Sequence, residues 1–580
     1  MTRGYFAFVL HGHLPYVLSH GRWPHGTDWL SEATAETYLP IIRALGGLVA
    51  EGYRPKLTMG LSPVLCEQLA DDSFKKEFVS YVNTKIKAAQ HDSEEFYRYD
   101  QPNMLKNSRF WEEFYGLTLE QFEACGRNIL KEFKRLQDDG FLEIITCGAS
   151  HGYYPLLSRD ESLQAQTKMA VRSYRRHFGH PPAGIWLPEC AYRPRYNWTP
   201  PVPIDGRQES YSRKGVDEFL TENALDFFVI DSALLKGGKS IGVYIDRFEA
   251  LKLLWGQFEK QYRPREEEKD KSPREVYLVS SSPEGKKPTA IFTRDPDTGL
   301  LVWSGEHGYP GDGNYLDFHK KRFPGGHRYW AVTSTKSDLA DKVEYHSETA
   351  FSRVPENAAH FADKVAEVLT GHYENCGEPG ILVAPYDAEL FGHWWFEGPD
   401  FLKTVLKRIC ENEYVEPTFL SEHLARCQPT KIVSIPEGSW GEGNHHYIWL
   451  NEHNEWTWKH IYEAESRMCE LARAWRNHPR KQDQELEAIL KQAARELMLL
   501  SASDWQFLIS TFAARDYAEL RVSEHYADFK KLAAMARKKM DGIPLDTGEW
   551  QFFQDCAERD RLFDDIEIEW FAAVEFPAQV

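Results

Sequence analysis

Short apolar runs that end in polar clusters recur along this chain, and they restrict its fold more than any other feature. They cover residues 5–10, 56–61, 141–146, 183–187, 225–230 and 380–384. Apolar runs of this length that are bounded by Gly and Pro are typical of buried parallel strands. Amphipathic helical patterns lie between them, over residues 31–48, 117–136, 162–178 and 357–369. The chain therefore alternates strands with helices.

This alternation predicts a parallel α/β fold. In such folds the reacting groups collect at the face where strands end and loops begin. We therefore expect one group of polar side chains, each directly after an apolar run, to converge: His11, His13, His151, Glu189, Asp231 and Asp387. Periodicity alone does not separate an open sheet from a barrel.

The texture of the sequence changes twice along the chain. A charge-rich stretch at about 260–290 indicates either a solvated surface insertion or an active-site lid. From about residue 457, long helical patterns follow one another without intervening strands. The 580 residues exceed one ordinary core, so we expect a domain over 1–430 and a helical domain over 431–580.

Composition limits the partners and the compartment. The formal net charge of −19 argues against nucleic acid and anionic membranes, which need basic patches. Nine cysteines stand singly, without any CxxC pair, as expected for reduced thiols. The sequence shows neither a signal peptide nor an apolar stretch that could cross a bilayer. We therefore expect a cytoplasmic protein.

Two groups of residues could carry chemistry. His11 and His13 lie on one side of a strand end, where they could bind a metal ion, hydrogen-bond a polyol or only terminate the strand. Glu189 and Asp387 place carboxylates at two strand ends. Such a pair can cleave a glycosidic bond, and a retaining enzyme holds its carboxyls about 5–5.5 Å apart. The alternative is two unrelated structural acids.

Aromatic residues are unusually dense between Trp440 and Trp458, which also enclose Trp449 and Trp456 among Asn and His side chains. Flat rings beside polar hydrogen-bonding groups suit sugar subsites, and the alternative is a packing cluster between domains.

No phosphate-binding glycine-rich loop follows any strand, so the sequence does not support nucleotide binding.

Taken together, the motifs resemble glycoside hydrolase family 57. Five blocks, followed by Ala502-Ser-Asp-Trp505, carry the resemblance: His11-Gly-His-Leu-Pro15, Gly148-Ala-Ser-His-Gly-Tyr153, Trp186-Leu-Pro-Glu-Cys-Ala-Tyr192, Tyr386-Asp-Ala-Glu-Leu-Phe-Gly-His393 and Asn451-Glu-His-Asn-Glu-Trp-Thr-Trp458. The resemblance implies an incomplete (β/α)7 barrel with a helical insertion at about 63–140, and a helical C-terminal domain that contributes to the active-site cleft. It implies no metal and no cofactor.

The same resemblance assigns roles to individual residues. It implies that Glu189 is the nucleophile and Asp387 the general acid/base of a double displacement. Further residues are expected to bind the sugar chain: His11, His13, His151, Tyr277, Arg294, Trp303, Trp440, Trp449 and Asp504. Tyr277 is the candidate for a tyrosine on a loop that closes over the intermediate, although the segment around it is longer and more charged than the family leads us to expect.

The resemblance is strongest to the branching enzymes of the family, which transfer part of an α-1,4-glucan to a 6-hydroxyl. An α-amylase or a 4-α-glucanotransferase on the same scaffold is the first alternative. A metal-dependent carbohydrate deacetylase that uses His11, His13 and an Asp is a more distant one, and a non-catalytic glucan-binding protein is the last. The expected partner is an α-glucan, and the chain is expected to be a monomer or a homodimer.

Overall fold

The computed structural model describes residues 2–204, 206–237, 249–258, 267–283 and 287–574. Eleven strands occur in these residues: β1 Gly4–Gly12, β2 Leu57–Leu61, β3 Leu142–Cys147, β4 Gly184–Trp186, β5 Tyr196–Trp198, β6 Tyr211–Arg213, β7 Phe227–Ile230, β8 Tyr277–Val279, β9 Thr289–Thr293, β10 Gly380–Asp387 and β11 Val415–Pro417. Strands β5 and β6 form a separate hairpin, and the other nine share one sheet.

Seven of these strands form a parallel barrel. They are paired in the order β10-β1-β2-β3-β4-β7-β9, and each neighbouring pair is parallel. A parallel bridge between Arg294 and Val383 joins the end of β9 back to β10. The Asp295 amide donates to the Val383 carbonyl across this seam at 2.9 Å. The parallel α/β fold is therefore confirmed, with the strands arranged as in the incomplete (β/α)7 barrel that the resemblance implies.

Alternate residues of the strands face two different cores. Ala7, Val9, Ile145, Trp186 and Val383 pack together in a small apolar cluster inside the barrel. The residues between them, such as Phe6, Phe8 and Leu10, belong to the larger cluster shared with the surrounding helices. A strand buried on both faces needs an uninterrupted apolar sequence, which explains why the runs in the sequence do not alternate.

Nineteen α-helices lie in the described residues: α1 Thr27–Ala33, α2 Leu39–Ala50, α3 Pro63–Ala70, α4 Asp72–Arg98, α5 Pro102–Ala124, α6 Ile129–Asp138, α7 Asp160–Phe178, α8 Val216–Glu222, α9 Ser232–Lys236, α10 Glu249–Phe258, α11 Pro296–Trp303, α12 Ser347–Cys376, α13 Gly398–Cys410, α14 Leu420–Arg426, α15 Glu455–Arg476, α16 Gln484–Leu500, α17 Asp504–Thr511, α18 Arg515–Met540 and α19 Thr547–Arg559. Helices α3 to α6 lie between β2 and β3, where the sequence predicts an insertion. In the part of the chain that the structure describes, no helix has the length and apolarity to cross a membrane.

The C-terminal helices α15 to α19 pack on the face of the barrel where the strands end. The Ser503 amide donates to the His151 carbonyl at 3.0 Å, and Gly152 and Ala502 form an antiparallel bridge. A second contact involves the loop after β1, where Arg521 of α18 donates to the Tyr16 carbonyl at 2.7 Å. The loops after β1 and β3 are therefore held between the barrel and the helices.

The sequence missed one barrel strand and joined two helices. Strand β9 was not among the predicted runs. It has only five residues and lies between the charged segment and α11, so its apolar run is short and easily overlooked. The helix predicted over 117–136 is divided between α5 and α6, with positive φ angles at Gly126 and Arg127. Ser62 directly precedes α3, and its hydroxyl bonds to His13 instead of capping the helix.

Replacing Gly184 of β4 by alanine should destabilise the protein. An added Cβ would lie 2.2 Å from a ring carbon of Phe227 on the neighbouring strand, so the packed barrel would have to shift. Overpacking of this kind costs about 1–3 kcal/mol. Gly116→Ala, within α5, is the matched control, because its Cβ would meet nothing within 4 Å. Thermal unfolding should show a lower Tm for Gly184→Ala only; equal Tm values for the two variants would contradict this packing.

Candidate active site

Glu189 lies on a sharp turn directly after β4. Its φ is 59° and that of Cys190 is 48°, so two successive non-glycine residues adopt the left-handed conformation. This conformation is unfavourable for residues with a Cβ and is often found where function requires it. The Trp440 amide donates to the Glu189 carbonyl at 3.1 Å and supports the turn. The side chain is 14% exposed, so the carboxyl reaches the surface of the site.

Each carboxyl oxygen of Glu189 accepts one hydrogen bond from outside the barrel. The indole nitrogen of Trp440 donates to Oε2 at 2.9 Å. The hydroxyl of Ser503 donates to Oε1 at 3.0 Å. Hydrogen bonds to an ionised acceptor are stronger than neutral ones, so both donors favour the carboxylate.

Asp387 ends β10, in register with His11 on the adjacent β1. The side chains at the end of this strand therefore lie on the same face of the barrel as those of β1. The charge of Asp387 is one of the causes that raise the pKa of Glu189, in keeping with two acids at the same face of the barrel. The expected separation of a retaining pair, about 5–5.5 Å, stays a prediction.

The three predicted histidines converge beside Glu189. The rings of His13 and His151 stack with centroids 3.8 Å apart, and His11 stacks on Trp186 inside the barrel at 4.8 Å. His11 Nε2 and His151 Nε2 are 3.0 Å apart, and His151 Nδ1 lies 2.8 Å from the Ser503 hydroxyl. Burial lowers the pKa of both His11 and His151 well below the usual range, so both rings are neutral.

His13 connects the barrel to Asp504 of the helical region. Its Nε2 lies 3.0 Å from Asp504 Oδ2, and its Nδ1 lies 2.8 Å from the Ser62 hydroxyl. Since a carboxylate can only accept, the ring donates to Asp504 through Nε2. The His13 amide also donates to Glu389 Oε1 at 3.0 Å. These contacts fix His13 at the edge of the site, where it and Asp504 are only partly buried.

Burial and neighbouring charge dominate the electrostatics of the site. Removal from water raises the pKa of Glu189 to about 8, and the charges of Asp387 and Asp504 add to the shift, while the bonds from Trp440 and Ser503 oppose it. Glu389 is fully buried, and the same cause raises its pKa to about 8. Clusters of acids with raised pKa values are typical of functional sites.

The predicted aromatic residues and Arg294 lie around the acids and histidines of the site, some next to Glu189 and others buried behind it. Trp440 packs edge-on against Trp303 at 5.6 Å and against Trp186 at 5.3 Å. Trp449 stacks on Tyr153 at 4.7 Å and is almost completely buried. Arg294 forms a buried ion pair with Asp231 beside the seam of the barrel. Trp440 is thus adjacent to Glu189, whereas Trp303 is buried behind Trp440, and Trp449 and Arg294 lie in the surrounding walls.

Tyr277 does not join the site, and its prediction as a lid residue is wrong for the described structure. It lies in the edge strand β8, opposite Ile291 of β9, and its ring is buried in the outer core. Its hydroxyl accepts a hydrogen bond from the Ser272 amide at 2.8 Å. A buried ring fixed in a strand cannot close over a substrate. Part of the charged segment that was predicted as an insertion or lid, residues 259–266 and 284–286, lies outside the described residues.

Ser503, Glu389 and Ser62 are the residues of the site that sequence reasoning missed. Ser503 and Glu389 lie inside motif blocks, next to Asp504 and two positions after Asp387. Attention to every polar residue of the blocks, instead of the acids and rings alone, could have found them. Ser62 precedes a proline at the start of a helix, where a serine ordinarily caps, so its contact with His13 had no signal of its own.

Some of these groups could also hold a metal ion. Among the described residues, His13, His151 and Asp504 offer ligand atoms within 4.8 Å of one another, as do His11, Cys147 and His151. The deacetylase alternative instead requires His11, His13 and an Asp to hold one metal ion. The structure pairs His11 with His151 and His13 with Asp504.

Comparison with known proteins decides the family. Residues 7–436 match the family model described as Glycosyl hydrolase family 57. The chain belongs to glycosyl hydrolase family 57. Residues 460–571 also match the model described as 1,4-alpha-glucan branching enzyme, C-terminal. The two matches thus include both the barrel and the helices that carry Ser503 and Asp504.

The similar proteins include branching enzymes and an α-amylase. A 1,4-alpha-glucan branching enzyme of Thermococcus kodakarensis is 39% identical over 562 residues, which cover 97% of this chain and 77% of that protein. The crystal structure of a branching enzyme from Pyrococcus horikoshii matches with a TM-score of 0.87 and 38% identity, covering 100% of this chain and 98% of that one. The crystal structure of the α-amylase AmyC from Thermotoga maritima matches with a TM-score of 0.80 and 27% identity, covering 99% of this chain and 100% of that one.

Glu189→Gln should stabilise the protein, and the gain should grow with pH. The pKa of Glu189 rises from an ordinary value of 4.5 to about 8 on folding, so the folded state binds the proton more tightly. Ionising this acid therefore costs stability between about pH 4.5 and 8, and the neutral amide avoids that cost.

Thermal unfolding from pH 5 to pH 8 measures this difference. The Tm of Glu189→Gln minus that of the wild type should increase across the range. Glu94→Gln on the exposed face of α4 is the control and should give a constant difference. A constant difference for Glu189→Gln as well would show that its carboxyl does not titrate abnormally.

Proposed function

We propose that this protein is a 1,4-α-glucan branching enzyme that works by a retaining double displacement. The observation that carries the proposal is the match of residues 460–571 to the branching-enzyme C-terminal model, because those helices supply Ser503 and Asp504 to the site around Glu189. The substrate is an α-glucan such as amylose or glycogen.

In the first step, Glu189 attacks the anomeric carbon of an α-1,4-linked glucosyl unit. Asp387 donates a proton to the departing 4-oxygen, so the reducing-end fragment leaves as an alcohol and a glycosyl ester forms on Glu189. The bonds from Trp440 and Ser503 hold the two oxygens of Glu189 in fixed directions before attack. Such preorganisation avoids reorienting the carboxylate during the reaction.

In the second step, Asp387 accepts the proton of a sugar 6-hydroxyl, whose oxygen attacks the anomeric carbon. The ester bond to Glu189 breaks, an α-1,6 linkage forms and both acids return to their starting states. Two inversions give net retention. His13 and Asp504, fixed to each other at the partly exposed edge of the site, are placed to bind sugar hydroxyls. Trp440 supplies the adjacent aromatic surface, and Trp303 is packed behind it.

The proposal also covers the cellular compartment and the oligomeric state. All nine cysteines are unpaired, which fits a reducing cytoplasm. A monomer or a homodimer is the proposed state.

An α-amylase is the second candidate, because AmyC shares the architecture over the whole chain. The two activities differ only in the acceptor, which is water in hydrolysis. Incubation with amylose, followed by counting α-1,6 linkages and reducing ends in the same sample, separates them. We expect linkages to form well in excess of new reducing ends. A rise in reducing ends without α-1,6 linkages would assign the protein as a hydrolase.

Glu189→Gln and Asp387→Asn should each abolish most of this activity. The first loses the nucleophile and should lower kcat by several orders of magnitude, and the second loses proton transfer, which contributes typically about 10²–10⁴-fold. Wild-type rates for either variant would remove that residue from the mechanism. Asp92→Asn, in α4, is the control, because Asp92 pairs with Arg322 and Tyr329 and contacts none of the site residues.

Trp440→Phe and Asp504→Asn should move the acidic limb of kcat/KM in opposite directions. Trp440→Phe removes a donor that lowers the pKa of Glu189, so the limb should move to higher pH. Asp504→Asn removes a negative charge that raises this pKa, so the limb should move to lower pH. Trp456→Phe is the control, because its indole donates to the His453 carbonyl instead. A shift in the same direction for both variants would contradict Glu189 as the titrating group.

A further inference from the structure

The hydroxyl of Ser503 contacts the nucleophile but not the helix that it precedes. Ser503 is the residue before α17, and its side chain makes no capping bond to that helix. The residue is completely buried, and the hydroxyl donates to Glu189 Oε1 at 3.0 Å. A serine at a helix start ordinarily bonds to the backbone of the first turn. Here the group is directed into the active site instead.

Two buried imidazoles orient this hydroxyl. Since Ser503 donates its proton to Glu189, the neighbouring His151 Nδ1, at 2.8 Å, must donate to the serine oxygen. His151 is neutral, so its Nε2 accepts, and the partner at 3.0 Å, His11 Nε2, donates. The direction of every hydrogen bond from His11 through His151 and Ser503 to Glu189 is therefore fixed.

The backbone holds Ser503 in place independently of its side chain. Its amide donates to the His151 carbonyl at 3.0 Å, and its carbonyl accepts from the Phe507 amide at 3.2 Å. The bridge between Gly152 and Ala502 fixes the residue before it. Loss of the hydroxyl would therefore leave the main chain where it is, so the role of the hydroxyl can be tested alone.

We propose that Ser503 is a positioning residue that directs Glu189 for attack, with His151 and His11 setting the direction of its hydrogen bond. This inference rests on the proposed function and deepens it, since it makes the docking of the C-terminal helices a condition for an active nucleophile. Within the described residues, the barrel supplies both acids, whereas both side-chain donors to Glu189 come from beyond residue 430.

The series wild type, Ser503→Cys and Ser503→Ala tests this role. A thiol is a weaker donor than a hydroxyl, and alanine has none. A hydrogen bond to a charged group contributes enough that Ser503→Ala should lower kcat about 10- to 100-fold, with KM little changed. The acidic limb of kcat/KM should move to higher pH in the order Ser, Cys, Ala, because the carboxylate loses a stabilising donor. Ser503→Cys should be intermediate in both readouts.

Ser501→Ala is the matched control. Ser501 is also buried and lies two residues away, but its hydroxyl bonds to the Leu497 carbonyl at 2.6 Å. This variant should keep the wild-type pH profile. Unchanged rates for Ser503→Ala would overturn the proposal. So would a rate loss with an unmoved acidic limb in Ser503→Cys and Ser503→Ala, since that would indicate a merely structural role.

Rates are counted as total glycosidic cleavage, the sum of new reducing ends and α-1,6 linkages, with amylose as substrate. If the wild type produces reducing ends but no branches, the proposed function fails while the effect of Ser503 is still measured through hydrolysis. If branches form and the three variants share one pH profile, the inference fails while the proposed function stands.

Discussion

The contact between Glu189 and the C-terminal helices is the interaction on which the site depends. A carboxylate in a largely buried position beside other acids is electrostatically unfavourable, and burial raises its pKa to about 8. The bonds from Trp440 and Ser503 offset part of this cost. The C-terminal segment acts on both sides of this balance, because the charge of Asp504 raises the pKa of Glu189 while the bond from Ser503 lowers it. The environment of Glu189 is therefore a property of the assembled chain and not of the barrel by itself.

Most of the barrel could be predicted from the sequence, because strands buried on both faces must be apolar throughout. That constraint is local and visible, and six of the seven barrel strands follow from it. Strand β9 was missed because its five residues follow a charged segment, and the closure of the sheet was not visible at all. Closure depends on a bridge between Arg294 and Val383, which are far apart in the chain. Such contacts have no local sequence signal.

The candidate site was predicted in part. The acids and histidines were found because each follows an apolar run, and the sheet brings such positions together. Ser503 and Glu389 were missed because a serine or an acid within a motif has no local sign of its partner. Tyr277 was named because the resemblance implies a tyrosine on a closing loop and this was the nearest candidate, yet its ring fills the outer core behind β9. Pairing between distant segments decides these cases.

The seam between β9 and β10 has a consequence for the flexibility of the barrel. One bridge and one amide bond cross it, whereas β1 and β10 share eight paired positions. Local opening of a protein begins where the fewest backbone bonds must break. We therefore expect amide hydrogens along this line to exchange with solvent sooner than those between β1 and β10.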